Sequence, residues 1–274
     1  MYLSSSETMP YVSVIMAVNK SHSFLADAIN SILDQDYIDF EFIIIVNGES
    51  FILYEQLTLE YSYDARVKLY YTELSGLAFA LNLGISHARG RYIARMDSDD
   101  ISLLDRLSKQ VEFLDMNTDI TVLGCKVELI DEMSNVVTRK LSFCETNEAI
   151  RRALPYRNSL IHPALMFRRS ALIECQGYKY GNMSEDHELF LRMARDDKNK
   201  FYNLNLVLFQ YRRHPDQITN TKYMMKHFVE ISGFLFTEFL LTKSPLYLFG
   251  MLVIHPLVRK TRMILRKLFY GNIE

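Results

Sequence analysis

Four short runs rich in β-branched and aromatic residues mark the first part of the chain: 11–18 (YVSVIMAV), 40–46 (FEFIIIV), 67–71 (VKLYY) and 91–97 (RYIARMD). They are almost continuously apolar, as strands buried on both faces are. Segments of helical period lie between them. In SHSFLADAINSILDQ (21–35), Phe24, Leu25, Ala28, Ile29, Ile32 and Leu33 recur at spacings of three and four, with Ser21 or Ser23 placed to cap the first turn. SGLAFALNLGISHARG (75–90) repeats the pattern and closes on Gly90 as a helix stop. Strands alternating with helices predict an α/β chain: a doubly wound, Rossmann-like, mainly parallel sheet with helices on both faces, binding ligands beyond the carboxyl ends of its strands.

Past residue 97 the pattern predicts a helix over 101–115, a strand over 120–130, a helix over 146–154, a strand over 164–169, an amphipathic helix over 184–197, a strand over 205–213 and a helix over 221–243. No internal repeat or low-complexity segment interrupts this order. The final stretch, 244–269, is apolar first and basic afterwards. Its apolar part, 246–258, is shorter than the ~20 residues a membrane-spanning helix needs. Leu257, Ile264, Leu265 and Leu268 share one helical face while Arg259, Arg262, Arg266 and Lys267 occupy others. Two readings stand: an interfacial helix on an anionic inner leaflet, or a helix packed on the domain with a basic outer face.

Composition narrows the function classes. A net charge of -2 on 274 residues offers no global basic field for nucleic acid. Cys125, Cys144 and Cys175 show no CxxC spacing, which fits packing residues in a reducing compartment. The N-terminal MYLSSSETMP lacks the basic and apolar regions of a secretory signal, so the expected location is cytoplasmic.

The chemistry concentrates in two acidic stretches. The fourth strand runs straight into Asp97, Asp99 and Asp100. Capping the next helix accounts for one of them, and Asp100 is the candidate. Three adjacent carboxylates repel one another unless positive charge lies between them, so a divalent cation explains the cluster better. Hard oxygen ligands select manganese or magnesium, and such ions bridge to phosphates. The second stretch, NMSEDHELFLRMARDD (182–197), offers Ser184 as N-cap with Glu185 and Asp186 in the first turn. Helix electrostatics alone would explain acids there.

The segment YVSVIMAVNKSHSFLADAINSILDQDYIDFEFIIIVNG, followed by GLAFALNLGISHARGRYIARMDSDDISLLDRLSKQ, resembles the N-terminal half of family-2 glycosyltransferases of the GT-A fold. The likeness is close over about residues 10–117 and looser to about residue 215. It implies inverting, metal-dependent transfer of a sugar from a nucleotide-diphosphate sugar, UDP-linked, to a saccharide or lipid-linked saccharide in bacterial surface polysaccharide synthesis. It also implies roles for residues. Asp97 contacts the donor ribose, and Asp99 with Asp97 holds the manganese or magnesium ion. Asp186 is the catalytic base, with Glu185 beside it toward the acceptor. An inverting transfer needs such a carboxylate, because the acceptor hydroxyl must lose its proton as it attacks opposite the leaving group.

His162 falls near the acceptor pocket in this reading. His214, with Arg212 or Arg213, either closes on the diphosphate or is structural or solvent-facing. Two departures from the family pattern bear on the donor. Val46-Asn47-Gly48-Glu49 stands where an aspartate usually reads the base, leaving Asn47 as a donor contact or part of a tight turn. MAVN also stands where MPVYN is common. The expected organisation is a catalytic domain over 1–220, with a nucleotide half over about 10–117 and an acceptor half over about 118–220, followed by a C-terminal helical extension over 221–274, for which the membrane interface is one of the two readings above. Two other classes stay open. A sugar-phosphate nucleotidyltransferase would carry a glycine-rich loop after the first strand, where AVNKSHS has no glycine. A non-catalytic glycan-binding homologue would not need both acidic stretches.

Overall fold

A computed structural model describes residues 9–137, 143–214, 223–258 and 260–261. The four predicted strands form β1 (Val12–Val18), β2 (Phe40–Asn47), β3 (Val67–Thr72) and β4 (Tyr92–Met96), all parallel, in the order β3-β2-β1-β4. The sheet continues from β4 through β7 (Met166–Arg168), β6 (Ile120–Ile130), β8 (Lys200–Arg212) and β5 (Ile101–Ser102). β6 and β8 are parallel, whereas β7 runs against β4 and β6, and β5 runs against β8. This is the mainly parallel α/β sheet the pattern predicts.

The pleat sorts the apolar strands into two cores. Val12, Val14, Met16, Phe42, Ile44 and Val46 face α1 (Leu25–Leu33), α2 (Phe51–Tyr61) and α4 (Arg106–Met116). Ile15, Ile43 and Ile45 face the other way. That side is covered by α3 (Leu77–His87), α5 (Asn147–Ala153), α6 (Arg169–Glu174), α7 (Glu185–Met193) and α8 (Met224–Thr242). Alternate residues of each strand are thus buried on opposite sides, which is why no wet face interrupts the apolar runs.

Several boundaries differ from the sequence reading, each for a tertiary reason. The helix expected from 101 begins at Arg106, because Ile101 and Ser102 pair with Gln210 and Phe209 of β8. Asp100 is therefore not its cap; Asp105 takes that place, without a side-chain bond. The N-cap of α1 is Phe24, not Ser21 or Ser23. The strand expected over 164–169 is cut short by a 3-10 turn at His162–Ala164 and by the start of α6 at Arg169. β8 starts earlier than predicted, and α7 ends before its predicted limit. α2 escaped the pattern search because only Leu53, Leu57 and Tyr61 are buried in it. Cys125, Cys144 and Cys175 are free thiols that pack against the two cores.

After α8 comes α9 (Pro245–Ile254), whose Tyr247, Met251 and Ile254 pack on the second core while Leu248, Phe249 and Leu252 face outward. Among the described residues no helix is long and apolar enough to cross a membrane. The interfacial helix expected from Leu257 to Leu268 lies largely outside the described residues, including Arg262, Ile264, Leu265, Arg266 and Lys267.

Gly90 serves close chain passage rather than helix termination. It does not stop α3, which is already closed by Ala88; it lets the chain pass directly over β1. A Cβ there would lie 2.6 Å from the Ser13 nitrogen and 2.7 Å from the Val12 carbonyl carbon. The Gly90 N–H donates to Ser13 Oγ at 2.9 Å, and that hydroxyl donates to buried Glu41 at 2.6 Å. Gly90→Ala is expected to lower stability by about 1–3 kcal/mol, since backbone must move. Gly233→Ala, in open space on α8, should raise it by about 0.5–1 kcal/mol. Urea denaturation of both variants checks the pair.

Candidate active site

The acidic loop joins β4 to β5 at the carboxyl edge of the sheet, and contacts from three other parts of the chain shape it. Arg95, on β4 and 3% exposed, pairs with the Asp97 carboxylate. Burial pushes the Asp97 carboxyl above its ordinary range; Arg95 opposes this, and Asp99 adds to it. Asp99 Oδ2 lies 2.9 Å from His214 Nε2, just past the end of β8. The Asp99 carbonyl accepts from Arg212 Nε at 2.8 Å. Asp100 is buried, and its Oδ1 accepts the Arg212 backbone N–H at 2.8 Å. Its carboxyl is pushed well up, by burial first and then by Asp99 and Asp97.

The loop after β1 closes the other side. His22 Nε2 lies 3.0 Å from Ser98 Oγ, and Phe24 packs against His214 with ring centroids 5.4 Å apart. The Arg212 guanidinium sits 4.4 Å from the centre of the Phe24 ring. His214 is thus at the site rather than facing solvent, and Arg212 is wholly buried. Sequence reasoning missed His22 and Phe24, which read only as the start of an amphipathic helix. It also missed Arg106, a fully buried cation on α4 that donates to the Arg95 carbonyl at 2.7 Å. Burial brings its guanidinium down to about 10.

Asp97, Asp99 and Asp100 each present an oxygen, all within 4.8 Å of one another. Asp100 Oδ2 is buried without a partner. A crowded set of hard oxygen donors, one of them unsatisfied, fits a divalent cation of the magnesium or manganese type.

The second acidic stretch stands at the start of α7. Glu185 is 6% exposed; burial, then repulsion from Asp186, pushes its carboxyl up to about 7. Asp186 Oδ1 accepts the His187 N–H at 2.7 Å, and Oδ2 accepts from Asn158 Nδ2 at 2.8 Å. Burial pushes Asp186 upward as well, against those bonds. Asp97 feels Asp186, and Glu185 feels both Arg95 and Asp97, so the fold brings the two acidic stretches into one electrostatic neighbourhood.

Tyr178 joins them. Its hydroxyl lies 2.6 Å from His162 Nε2. Burial raises the Tyr178 hydroxyl, Arg95 opposes that, and Glu185, Asp186 and Asp97 add to it. His162 is buried, and burial with Arg95 nearby holds its imidazole neutral. Asn47 is buried at the end of β2; in the amide orientation its surroundings require, it donates to the Val18 carbonyl and accepts from the Gly76 N–H, each at 3.1 Å. Gly48 follows at φ 77°, the left-handed turn that favours glycine. Val46 is fully buried, so no side chain projects where the family pattern has its aspartate.

The profile of the Glycosyl transferase family 2 matches residues 13–175, and the chain belongs to that family. It is 38% identical over 212 residues to the O-antigen biosynthesis glycosyltransferase WbnJ of Escherichia coli, covering 77% of this chain and 82% of that protein. It is 33% identical over 213 residues to the putative glycosyltransferase EpsE of Bacillus subtilis, covering 76% and 74%. Among solved structures, S. aureus TarS 1-349 in complex with UDP-GlcNAc superposes with a TM-score of 0.67 at 18% identity, over 84% of this chain and 66% of that one. The mannosyltransferase PcManGT of Pyrobaculum calidifontis, in complex with GDP-Man and Mn2+, gives 0.66 at 15% identity, over 97% and 77%. The fold is GT-A, and the chain is a glycosyltransferase.

The Glu185 shift has a stability consequence. Its carboxyl is raised in the folded state, so the associated stability is fully present below the ordinary value of 4.5 and is lost as pH rises toward about 7. Glu185→Gln is expected to flatten that part of the stability profile, by about 3 kcal/mol between its ends. Denaturation midpoints of parent and variant at pH 4.5, 6 and 8 check this.

Proposed function

We propose that the protein is an inverting, metal-dependent glycosyltransferase that moves a hexose or N-acetylhexosamine from a nucleotide-diphosphate sugar, UDP-linked, to a saccharide or lipid-linked saccharide in bacterial surface polysaccharide synthesis. The observation that carries this reading is the three-carboxylate cluster at the end of β4 sharing one electrostatic neighbourhood with Glu185 and Asp186. The O-antigen biosynthesis of WbnJ and the nucleotide-sugar complexes of the two solved structures support the substrate class.

In this reading Asp97 meets the donor ribose, Asp99 and Asp97 hold manganese or magnesium, and Asn47 shapes the turn beside the base. The ion, when bound, supplies positive charge beside the departing diphosphate. The protein's own groups do the rest. Asp186 takes the proton of the acceptor hydroxyl as that oxygen bonds to the anomeric carbon. The bond from that carbon to the diphosphate oxygen breaks, and its electron pair leaves with the nucleoside diphosphate. Asn158 and the His187 N–H each bind one Asp186 oxygen, which fixes its aim. Burial raises its affinity for a proton, which suits a base. Glu185 and His162 line the acceptor side, where His162 meets the Tyr178 hydroxyl.

The catalytic unit is read as 1–220 and the helical extension as 221–274. The extension presents Met225, Val229, Phe236 and Leu240 along one exposed stripe of α8, close in sequence to a basic tail. This supports cytoplasmic location with peripheral contact to the inner face of the plasma membrane.

Asp99→Asn and Asp186→Asn are each expected to lower sugar transfer about 100-fold or more while leaving the circular dichroism spectrum unchanged. Undiminished turnover in Asp186→Asn would reject the base. Thermal shifts with UDP, GDP, dTDP and CMP, with and without manganese, should single out UDP plus the ion; no manganese uptake by calorimetry at saturating UDP would reject the metal site.

A further inference from the structure

The loop that delivers Glu185 and Asp186 is gripped from outside by α8. Glu230 Oε1 accepts the Asn182 backbone N–H at 2.6 Å, and Oε2 accepts that of Met183 at 3.1 Å. About one turn earlier on the same helix, His227 Nδ1 lies 3.0 Å from Ser184 Oγ. Three successive loop residues are therefore held by two side chains of α8. The loop is also pressed onto α7 from within. Gly181 opens it at φ 101°, and a Cβ there would lie 2.8 Å from both the nitrogen and the Cα of Glu185.

Ser184 occupies the N-cap position of α7, but its hydroxyl makes no capping bond to the helix. That hydroxyl is engaged with His227 instead. The entry into α7, and hence the placement of the two acids on its first turn, is set by α8 rather than by the helix's own cap. A carboxylate accepting two backbone N–H groups is a charge-assisted clamp that fixes orientation as well as position.

We infer that Glu230 and His227 are positioning residues for the Glu185 and Asp186 pair, so that the C-terminal extension is part of the transfer machinery. The inference rests on the proposed reading of Asp186 as the base. Displacing a reacting group by about 1 Å costs on the order of 100-fold in rate. Among the described residues Glu230 holds Asn182 and Met183 and His227 meets Ser184, all on the loop before α7 and not on the β4 cluster, so donor affinity should not follow. The helix has a separate anchor further along, where Glu238, 2% exposed, pairs with Arg195 just past the end of α7.

The test uses the full chain with manganese and UDP-N-acetylglucosamine, UDP-glucose or UDP-galactose, whichever the parent turns over, reading UDP release and, by calorimetry, UDP affinity. Glu230→Ala is expected to lower kcat about 10- to 100-fold, with donor KM and UDP affinity changed by less than about twofold. Glu230→Gln, which keeps one accepting oxygen, should recover part of the loss. Glu230→Ala added to Asp186→Asn should slow the enzyme no further, because both changes act on one group. Glu238→Gln should lower the melting temperature and leave kcat within about twofold.

Parent-like kcat in Glu230→Ala, or a loss matched by weaker UDP binding, overturns the inference. So does a Glu238→Gln variant as slow as Glu230→Ala, because both would then report only the docking of α8. Undiminished turnover in Asp186→Asn removes the base assignment and this inference with it. A slow Asp186→Asn beside an undiminished Glu230→Ala removes the inference alone.

Discussion

The bond from the Arg212 backbone N–H to the buried Asp100 carboxylate ties the two halves of the sheet together at the point where three like charges converge. Its importance follows from magnitude. Two full charges 4.8 Å apart repel by about 3 kcal/mol at an effective dielectric near ~20. A single N–H donated to a carboxylate offsets about 1.5–3 kcal/mol of it. The cluster therefore needs cationic groups and N–H donors from several elements: Arg95 from β4, Arg212 from β8 and His214 just beyond it. The Asp97 and Asp100 carboxyls are pushed upward by burial first, with the repulsion from their neighbours adding to it.

The alternation of apolar strands and amphipathic helices made the parallel half of the sheet legible from the chain alone, because burial on both faces erases polar positions. Acids at the end of the fourth strand were legible for the same reason: the ligand edge of such a sheet is fixed by topology. What escaped was set by distant partners. Ile101 and Ser102 read as helix until β8 is there to pair with them. Asp100 reads as a cap until Arg212, 112 positions away, claims its oxygen. His22 and Phe24 carry no local signal for a site, and their place depends on meeting Ser98 and His214. α2 buries too few residues to advertise itself.

The two acidic stretches solve opposite problems with the same residue types. At the end of β4 the carboxylates are crowded together, so their shared negative field favours a small hard cation. At the start of α7 the acids are buried as well, but only two of them meet and Asp186 accepts one hydrogen bond at each oxygen, which favours proton affinity over ion binding. Arg95 stands between these regimes: wholly inside the protein, it tempers Asp97 directly while its field reaches Glu185, Asp186 and His162. A buried arginine serving several acids at once resists replacement better than a surface ion pair would.

The pairing of β5 with the far end of β8 also bears on biosynthesis. During translation the first four strands emerge before β8 has been made, so the acidic loop has no β8 to lie against until residues 209 and 210 have emerged. A nascent chain therefore passes through a stage with its first four strands made and an unformed ligand edge. Truncated products released at that stage would carry the acidic loop without the strand that holds it, so the ligand edge is shaped only when the chain is nearly complete.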